Sequence, residues 1–170
     1  MRRLIMALPL VLLVMAPTGV QAAADDLVVC DAPPAGTTVI KPGEAPFASE
    51  PEPPAYDPLV YTYTDTLFQL DLYPAHASDT ATVTSTLSWD LDVNNWDLYL
   101  LDADGVELDV SEGLQAGPAG DPATETVSKE LTHCSLFTVS VENEQGLIAS
   151  ADVDPLQLAT SAGSVVTVLG

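Results

Sequence analysis

The sequence predicts an all-β fold, an antiparallel β-sandwich with jelly-roll or Greek-key connections. Three observations carry this prediction. Apolar residues alternate with polar ones in several short segments, as they do in strands with one buried face. Clusters of Gly, Pro, Asn and Asp separate these segments. No window keeps a helical period, and a series of short strands with turns between them is typical of a sandwich.

Residues 1–22 have the layout of a secretory signal peptide. Arg2 and Arg3 precede an apolar run over residues 4–16, and small residues follow it. The run is shorter than the roughly 20 residues that a membrane span needs, and no later stretch is suitable either. We therefore expect cleavage after Ala22 or Ala24 and a secreted, extracellular protein with no membrane span.

Residues 23–58 are expected to form a proline-rich N-terminal arm. The segment holds eight prolines, with Gly, Glu and Ala among them. Proline lacks a backbone N–H for a β-ladder and favours polyproline II. We expect the arm to be extended and to lie on the domain without joining its ladders.

The two cysteines, Cys30 and Cys134, predict a disulfide. An even number of cysteines in an exported chain favours a bridge over a metal site or a reactive thiol. A bridge here would close a loop of about 100 residues and would stabilise the folded state by at most about 4.7 kcal/mol. The alternative is a zinc site that also uses His76 and His133, although the chain has no C-x-x-C spacing.

Residues 59–170 are expected to form the β-sandwich domain. The stretch 59–73 is rich in β-branched and aromatic residues and predicts one or two strands. Residues 81–89 place Val83, Leu87 and Trp89 on one face and hydroxyl side chains on the other.

A hairpin is predicted at the centre of the domain. Trp96, Leu98 and Leu100 alternate with Asp97, Tyr99 and Leu101. Residues 106–110 show the same alternation of apolar and acidic residues. The Asp-Ala-Asp-Gly turn at 102–105 suits a short connection, because glycine adopts positive φ without strain.

The remaining elements are less regular in sequence. Residues 111–124 predict a long loop rich in Gly, Ala and Pro, and residues 134–142 predict a strand whose buried face holds Phe137, Val139 and Val141. Further strands are expected at 125–131, 147–153 and 164–169.

Four stretches resemble the bacterial pre-peptidase C-terminal domain: SWD, WDLYLLDADG, ETV and FTVSVEN. The resemblance covers about residues 60–143, and its most specific part is 97–105. It implies a β-sandwich accessory module of secreted peptidases or hydrolases, which in some relatives binds calcium and engages matrix polymers or a cell surface. It does not imply an enzyme.

The charge restricts the partners. Outside the predicted signal peptide, Lys41 and Lys129 stand against 25 acidic residues, a formal charge of −23. Such a surface repels nucleic acid and anionic lipid, so we expect neither as a partner. It suits cations, basic partners or a salty medium, and acidity that serves solubility alone is the alternative.

Catalytic motifs are missing from the sequence. There is no G-x-S-x-G and no H-E-x-x-H motif, and carboxylate pairs decide nothing in so acidic a chain. We expect a secreted, non-catalytic module with a binding or structural role toward an extracellular protein or polysaccharide. The alternatives are a polysaccharide-binding module or, third, a small secreted hydrolase.

Four tyrosines could supply a binding face. Tyr99 alternates with core residues, so we expect it to point outward beside Asp97, where exposed rings suit sugar or protein contact. Plain β-propensity explains the same tyrosines without any ligand. The four are Tyr61, Tyr63, Tyr73 and Tyr99.

A calcium site is a further hypothesis. The side chains of Asp90 and Asp92 point to the same face of a predicted strand. Their Cα atoms are expected about 6.6 Å apart at roughly 3.3 Å of rise per residue. Asn94 can turn the chain so that Asp97 returns toward them. Six to eight oxygen ligands in loose geometry suit calcium rather than zinc or magnesium. The alternative is a solvated acidic edge that deters strand pairing.

Overall fold

The computed structural model describes residues 26–57, 59–90, 94–112, 123–145 and 155–167. The predicted signal peptide, the predicted strand at 147–153 and most of the loop at 111–124 lie outside these ranges. Within them the chain forms nine strands and no helix. The strands are β1 (Thr38–Ile40), β2 (Phe47–Ser49), β3 (Tyr63–Leu70), β4 (Thr80–Trp89), β5 (Asn95–Asp102), β6 (Glu107–Ser111), β7 (Ala123–Thr132), β8 (Leu136–Gln145) and β9 (Gln157–Ala162).

Two sheets pack together as a β-sandwich, which confirms the predicted fold class. One sheet has the strand order β1-β3-β8-β5-β6, and the other has the order β2-β9-β4-β7. All pairings are antiparallel except that of β1 with β3. Apart from the β5–β6 hairpin, consecutive strands lie in different sheets, so most ladders join segments that are distant in sequence.

The core lies between the sheets and follows the predicted alternation. On β4, Val83, Leu87 and Trp89 are buried, while Thr82 on the opposite face is exposed. The predicted inward rows of β5 and β8 are buried as well. Further side chains with no exposed surface include Phe68, Leu70, Trp96, Leu98, Leu100, Phe137, Val139 and Val127.

The arm is not excluded from the ladders, and that part of the prediction was wrong. β1 pairs in parallel with β3, and β2 pairs with β9. Both strands are three residues long and fall in proline-free gaps of the arm. Each also lies at the edge of its sheet, where a neighbouring proline disrupts no central ladder.

The C-terminal strand lies earlier than predicted. β9 occupies residues 157–162 and pairs with both β2 and β4, whereas the sequence indicated a strand at 164–169. Of that stretch, Val166 forms an isolated bridge with Thr80, and residues 168–170 lie outside the described ranges. The stretch 59–73 forms the single strand β3.

The β5–β6 turn forms as predicted. Gly105 has a φ of 78°, and its N–H donates to the Asp102 carbonyl at 3.1 Å. The Asp102 carboxylate accepts from the backbone N–H groups of Asp104 at 2.9 Å and Val106 at 2.8 Å. A register shift between Leu100 and Leu101 interrupts the alternation at this end, and Val106 is exposed rather than buried.

The predicted disulfide is present. The sulfur atoms of Cys30 and Cys134 lie 2.11 Å apart and join residues separated by 104 positions. The bridge ties the start of the arm to the turn between β7 and β8, and the backbone N–H of Cys134 also donates to the Leu70 carbonyl at 2.8 Å. The zinc alternative needs both thiols free, so the bond between the sulfurs excludes it.

Candidate functional site

The outer face of the five-stranded sheet carries the polar and aromatic side chains that best suit a binding surface. Tyr99 on β5 lies opposite Ser140 of β8 and Val110 of β6. Asp97 lies opposite Glu142, which in turn lies opposite Tyr63 of β3. Because directly paired residues point to the same side of a sheet, these side chains share one surface.

Tyr99 lies on this outer face as predicted, but it is half-buried rather than an exposed platform. Its hydroxyl is 2.8 Å from Oε1 of Glu112 and 3.0 Å from Oε2 of Glu142. The one hydroxyl proton serves two carboxylates, which holds Glu112 and Glu142 on either side of it. Burial, followed by these two hydrogen bonds, raises the pKa of Tyr99. Its hydroxyl is thus a fixed donor within the face.

Tyr63 extends the aromatic surface toward solvent. Its ring meets that of Tyr99 edge to face, with centroids 6.1 Å apart and planes at 80°. Burial, followed by the charge and hydrogen bonding of Glu142, raises the pKa of Tyr63. An edge-to-face pair of this kind adds about 0.5–1.5 kcal/mol beyond its buried area. The two tyrosines and Glu142 therefore form one connected cluster.

The predicted calcium ligands differ in their exposure to solvent. Asp97 is 2% exposed and Asn94 is 3% exposed, whereas Asp90 is exposed. The solvated-edge alternative therefore fails for Asp97. Asp92 lies outside the described residues.

No calcium cluster is visible within the described ranges. The one group of three His, Cys, Asp or Glu side chains there with ligand atoms close enough to share a metal is Cys30, His133 and Cys134. Since those two cysteines form the disulfide, this group is no metal site. Calcium binding by Asp90, Asp92, Asn94 and Asp97 stays a prediction.

Glu125 is a buried acid that sequence reasoning missed. It lies on the inward face of β7, opposite Leu87, and is 1% exposed. Neither carboxylate oxygen makes a hydrogen bond of ordinary distance and angle. Burial raises the pKa of Glu125 to about 7; the charge of Asp97 adds to the rise, and Ser111 offsets part of it. The alternation of Glu125 with Ala123 and Val127 was the available signal, since both of these residues are buried.

The arm folds back beside this face and is pinned to it. The hydroxyl of Thr62 donates to the Ala55 carbonyl, and that of Thr64 donates to the Glu52 carbonyl at 2.7 Å. On β8, Nδ2 of Asn143 donates to the Pro54 carbonyl at 3.2 Å. Three side chains, one just before β3, one on β3 and one on β8, thus fix the end of the arm.

The loop that follows carries exposed apolar side chains, and we call it the tyrosine loop. It comprises Tyr56, Asp57, Leu59, Val60 and Tyr61. Together with Glu142 and Asn143 it lines a cavity of about 260 Å³. Its apolar members are 45% (Tyr56), 91% (Leu59), 59% (Val60) and 78% (Tyr61) exposed. Of these residues, the sequence singled out Tyr61 alone.

The two histidines do not form a catalytic pair with a nucleophile among the described residues. Nδ1 of His133 accepts from the Leu72 backbone N–H at 3.1 Å, and Nε2 donates to the Val28 carbonyl at 2.9 Å. Both ring nitrogens of His133 therefore hold backbone in place, one of them at the start of the arm. The ring of His76 makes no hydrogen bond to a described residue, and its Nδ1 is buried.

The opposite sheet carries a second concave surface. A groove of about 570 Å³ lies beside β2, β4 and β9 and is lined by hydroxyl, amide and carboxylate groups along with alanine and leucine. Its polar lining comes from Ser49, Glu50, Thr86, Ser88 and Gln157. Hydroxyl pairs run across the neighbouring β4–β7 ladder, with Thr84 and Ser128 at 3.2 Å and Thr86 and Thr126 at 3.2 Å.

Comparisons with known proteins identify no family. No protein-family model matches the chain, and a search of curated proteins finds no match. The resemblance to the pre-peptidase C-terminal domain therefore stays a prediction. Among the described residues, none forms a helix with the length and apolar character needed to cross a bilayer.

Proposed function

We propose that this protein is an exported, non-catalytic β-sandwich module that binds an extracellular macromolecule. The observation that carries the proposal is the outer face of the five-stranded sheet. There, the fixed cluster of Tyr63, Tyr99 and Glu142 continues into the exposed tyrosine loop. Rigid aromatic rings beside unburied apolar groups are typical of a recognition surface.

The pre-peptidase resemblance extends this proposal to an accessory role. Domains of that family usually accompany secreted peptidases or hydrolases, and in some relatives they engage matrix polymers or a cell surface. The turn at 102–105 is in keeping with this proposal, since its hydrogen bonds and the positive φ of Gly105 match a short hairpin connection. In this role the module would hold a hydrolase near a matrix or cell surface.

A polysaccharide-binding module is the second candidate. The groove beside β2, β4 and β9 favours it, because hydroxyl and amide groups such as those of Ser49, Thr86 and Gln157 can hydrogen-bond sugar hydroxyls. Among the described residues that line the groove, none is an aromatic on which a sugar ring could stack. The tyrosine face has such rings but lies on the other sheet.

The test combines turnover and binding assays on the purified protein. We expect no hydrolysis of peptide, ester or glycoside substrates. Turnover that disappears in a His76→Ala variant would instead assign the third candidate, a small hydrolase. Retention on insoluble cellulose or chitin that is weakened by Gln157→Ala would favour the polysaccharide-binding module.

A further inference from the structure

The tyrosine loop holds apolar side chains that the core does not use. Leu59 is 91% exposed and Tyr61 is 78% exposed, although β3 begins shortly afterwards at Tyr63 and is buried from Phe68 onward. Val60 and Tyr56 widen the same surface. Scattered exposed apolar residues need no explanation, but a contiguous set around a cavity marks an interaction site.

Hydrogen bonds hold the described residues on either side of position 58 in place before any partner arrives. Oδ1 of Asp57 accepts from the Leu59 backbone N–H at 2.8 Å, and the Val60 N–H donates to the Asp57 carbonyl at 3.3 Å. The hydrogen bonds from Thr62 and Asn143 fix the chain just before this turn. A loop fixed in this way loses little conformational entropy on binding, so more of its contact energy becomes affinity.

The charges around the loop favour a positively charged partner. Asp57 lies within the loop, and Glu142 lines the same cavity. Beyond the predicted signal peptide the chain has only Lys41 and Lys129 as basic residues, against 25 acidic ones. A second copy of this chain or another acidic surface would be repelled, whereas a basic surface would be attracted.

We propose that the tyrosine loop docks a protein surface on which lysine or arginine side chains surround an apolar pocket. Leu59 and Val60 fill the pocket, and the rings of Tyr56 and Tyr61 receive the cationic side chains, which tyrosine faces attract. A polysaccharide fits less well, because the most protruding side chain, Leu59 at 91% exposed, and its neighbour Val60 can neither stack on a sugar ring nor hydrogen-bond its hydroxyls. This inference rests on the proposed function and names the partner class for the same face.

The test is selection of a phage-displayed random dodecapeptide library against the purified, immobilised protein at 0.05 M NaCl. We expect selected sequences to combine lysine or arginine with aliphatic residues. Synthetic copies should bind at least tenfold more weakly to Val60→Ser and Tyr61→Ser variants. Val106→Ser is the matched control: Val106 is 58% exposed against 59% for Val60, but it lies at the far end of β5, and we expect less than a twofold change.

Each other outcome overturns this partner class in a recognisable way. Selected peptides without basic residues, equal weakening by Val60→Ser and Val106→Ser, or no selection above background would each contradict it. Retention on cellulose or chitin that Val60→Ser abolishes would keep the proposed function and replace the partner by a polysaccharide. A dimer in sedimentation velocity that Val60→Ser dissociates would identify a second copy. Substrate turnover would overturn the proposed function while leaving peptide docking a separate result.

Discussion

Acidic side chains on one strand of this protein differ greatly in their contact with water. On β7, Glu125 is 1% exposed inside the sandwich, whereas Glu130 on the same strand is exposed. The backbone alternation decides this, because side chains two residues apart share a face and those five apart do not. An acid in an inward position keeps its proton to a higher pH, since burial disfavours the charged form.

Replacing Glu125 by Gln should flatten the pH dependence of stability. The pKa of Glu125 is about 7 in the folded chain, against an ordinary value of 4.5, so the folded state binds more protons between these values. The free energy of unfolding therefore falls as pH rises from about 4.5 through 7, by about 3 kcal/mol in total. We expect Glu125→Gln to be the more stable protein in urea denaturation at pH 8.5 and to match the wild type at pH 4.5.

Glu130→Gln is the control for this measurement, because its side chain is exposed on the same strand. It should leave the pH profile of the wild type unchanged. A decline between pH 4.5 and 7 that persists in Glu125→Gln would contradict the assignment of that decline to Glu125.

Removing the Tyr99 hydroxyl should destabilise the outer face. In Tyr99→Phe, Glu112 and Glu142 lose the donor that lies 2.8 and 3.0 Å from their oxygens. Hydrogen bonds to charged groups contribute about 1.5–3 kcal/mol, so we expect a loss in that range in urea denaturation at pH 7. Tyr61→Phe, at a ring that is 78% exposed, should change stability by less than about 0.5 kcal/mol. Equal effects of the two variants would count against a fixed donor role.

At the level of strands, the sequence predicts long alternating segments well and short edge strands poorly. β4, β5 and β8 each run for eight or ten residues with large apolar side chains on one face. β1 and β2 are three residues long and surrounded by prolines, so their pairing depends on the partner strand rather than on their own pattern. β9 has Leu158 as its one large apolar residue, which left its alternation too weak to recognise.

The sequence likewise predicts only part of the candidate site. Alternation placed Tyr99 on the outer face, but nothing local indicates that Glu112 and Glu142 meet its hydroxyl, because the contact joins β5 to β8 and to the residue that follows β6. The tyrosine loop depends on hydrogen bonds between the arm and residues up to 89 positions away. Such long-range pairings are a property of the topology and are not encoded in any short window.

The disulfide should stabilise the arm and the β7–β8 turn together. It joins residues 104 positions apart, and removing a native disulfide commonly costs about 2–5 kcal/mol. We expect no alkylatable thiol in mass spectrometry without prior reduction. A Cys30→Ala, Cys134→Ala double variant should unfold at lower urea concentration, and added reductant should destabilise the wild type but not this variant. Two alkylated cysteines in the unreduced protein would contradict the bridge.

For the whole molecule, charge and topology act in opposite directions. The two sheets join distant segments into one core, which stabilises the folded state. The formal charge of −23 outside the predicted signal peptide destabilises the folded state, because like charges repel one another. Export would suit this balance, since the disulfide needs an oxidising compartment and salt outside the cell screens the charge. The same excess of carboxylates underlies both the predicted preference for basic partners and the calcium hypothesis.

Salt and calcium should therefore stabilise the protein through two separable effects. Raising NaCl from 0.02 to 0.2 M shortens the screening length to below about 10 Å, and we expect the melting temperature to rise because repulsion weakens. At equal ionic strength, we expect 2 mM calcium to raise it further than 2 mM magnesium, since the predicted ligands Asp90, Asp92, Asn94 and Asp97 carry oxygen atoms and calcium accepts oxygen ligands in looser geometry than magnesium does. Asp92→Ala should remove the calcium-specific part alone. Asp104→Ala, at an exposed turn position, is the control and should keep it. Equal rises with both cations, unaffected by Asp92→Ala, would leave screening as the whole effect and the acidic hairpin without a calcium site.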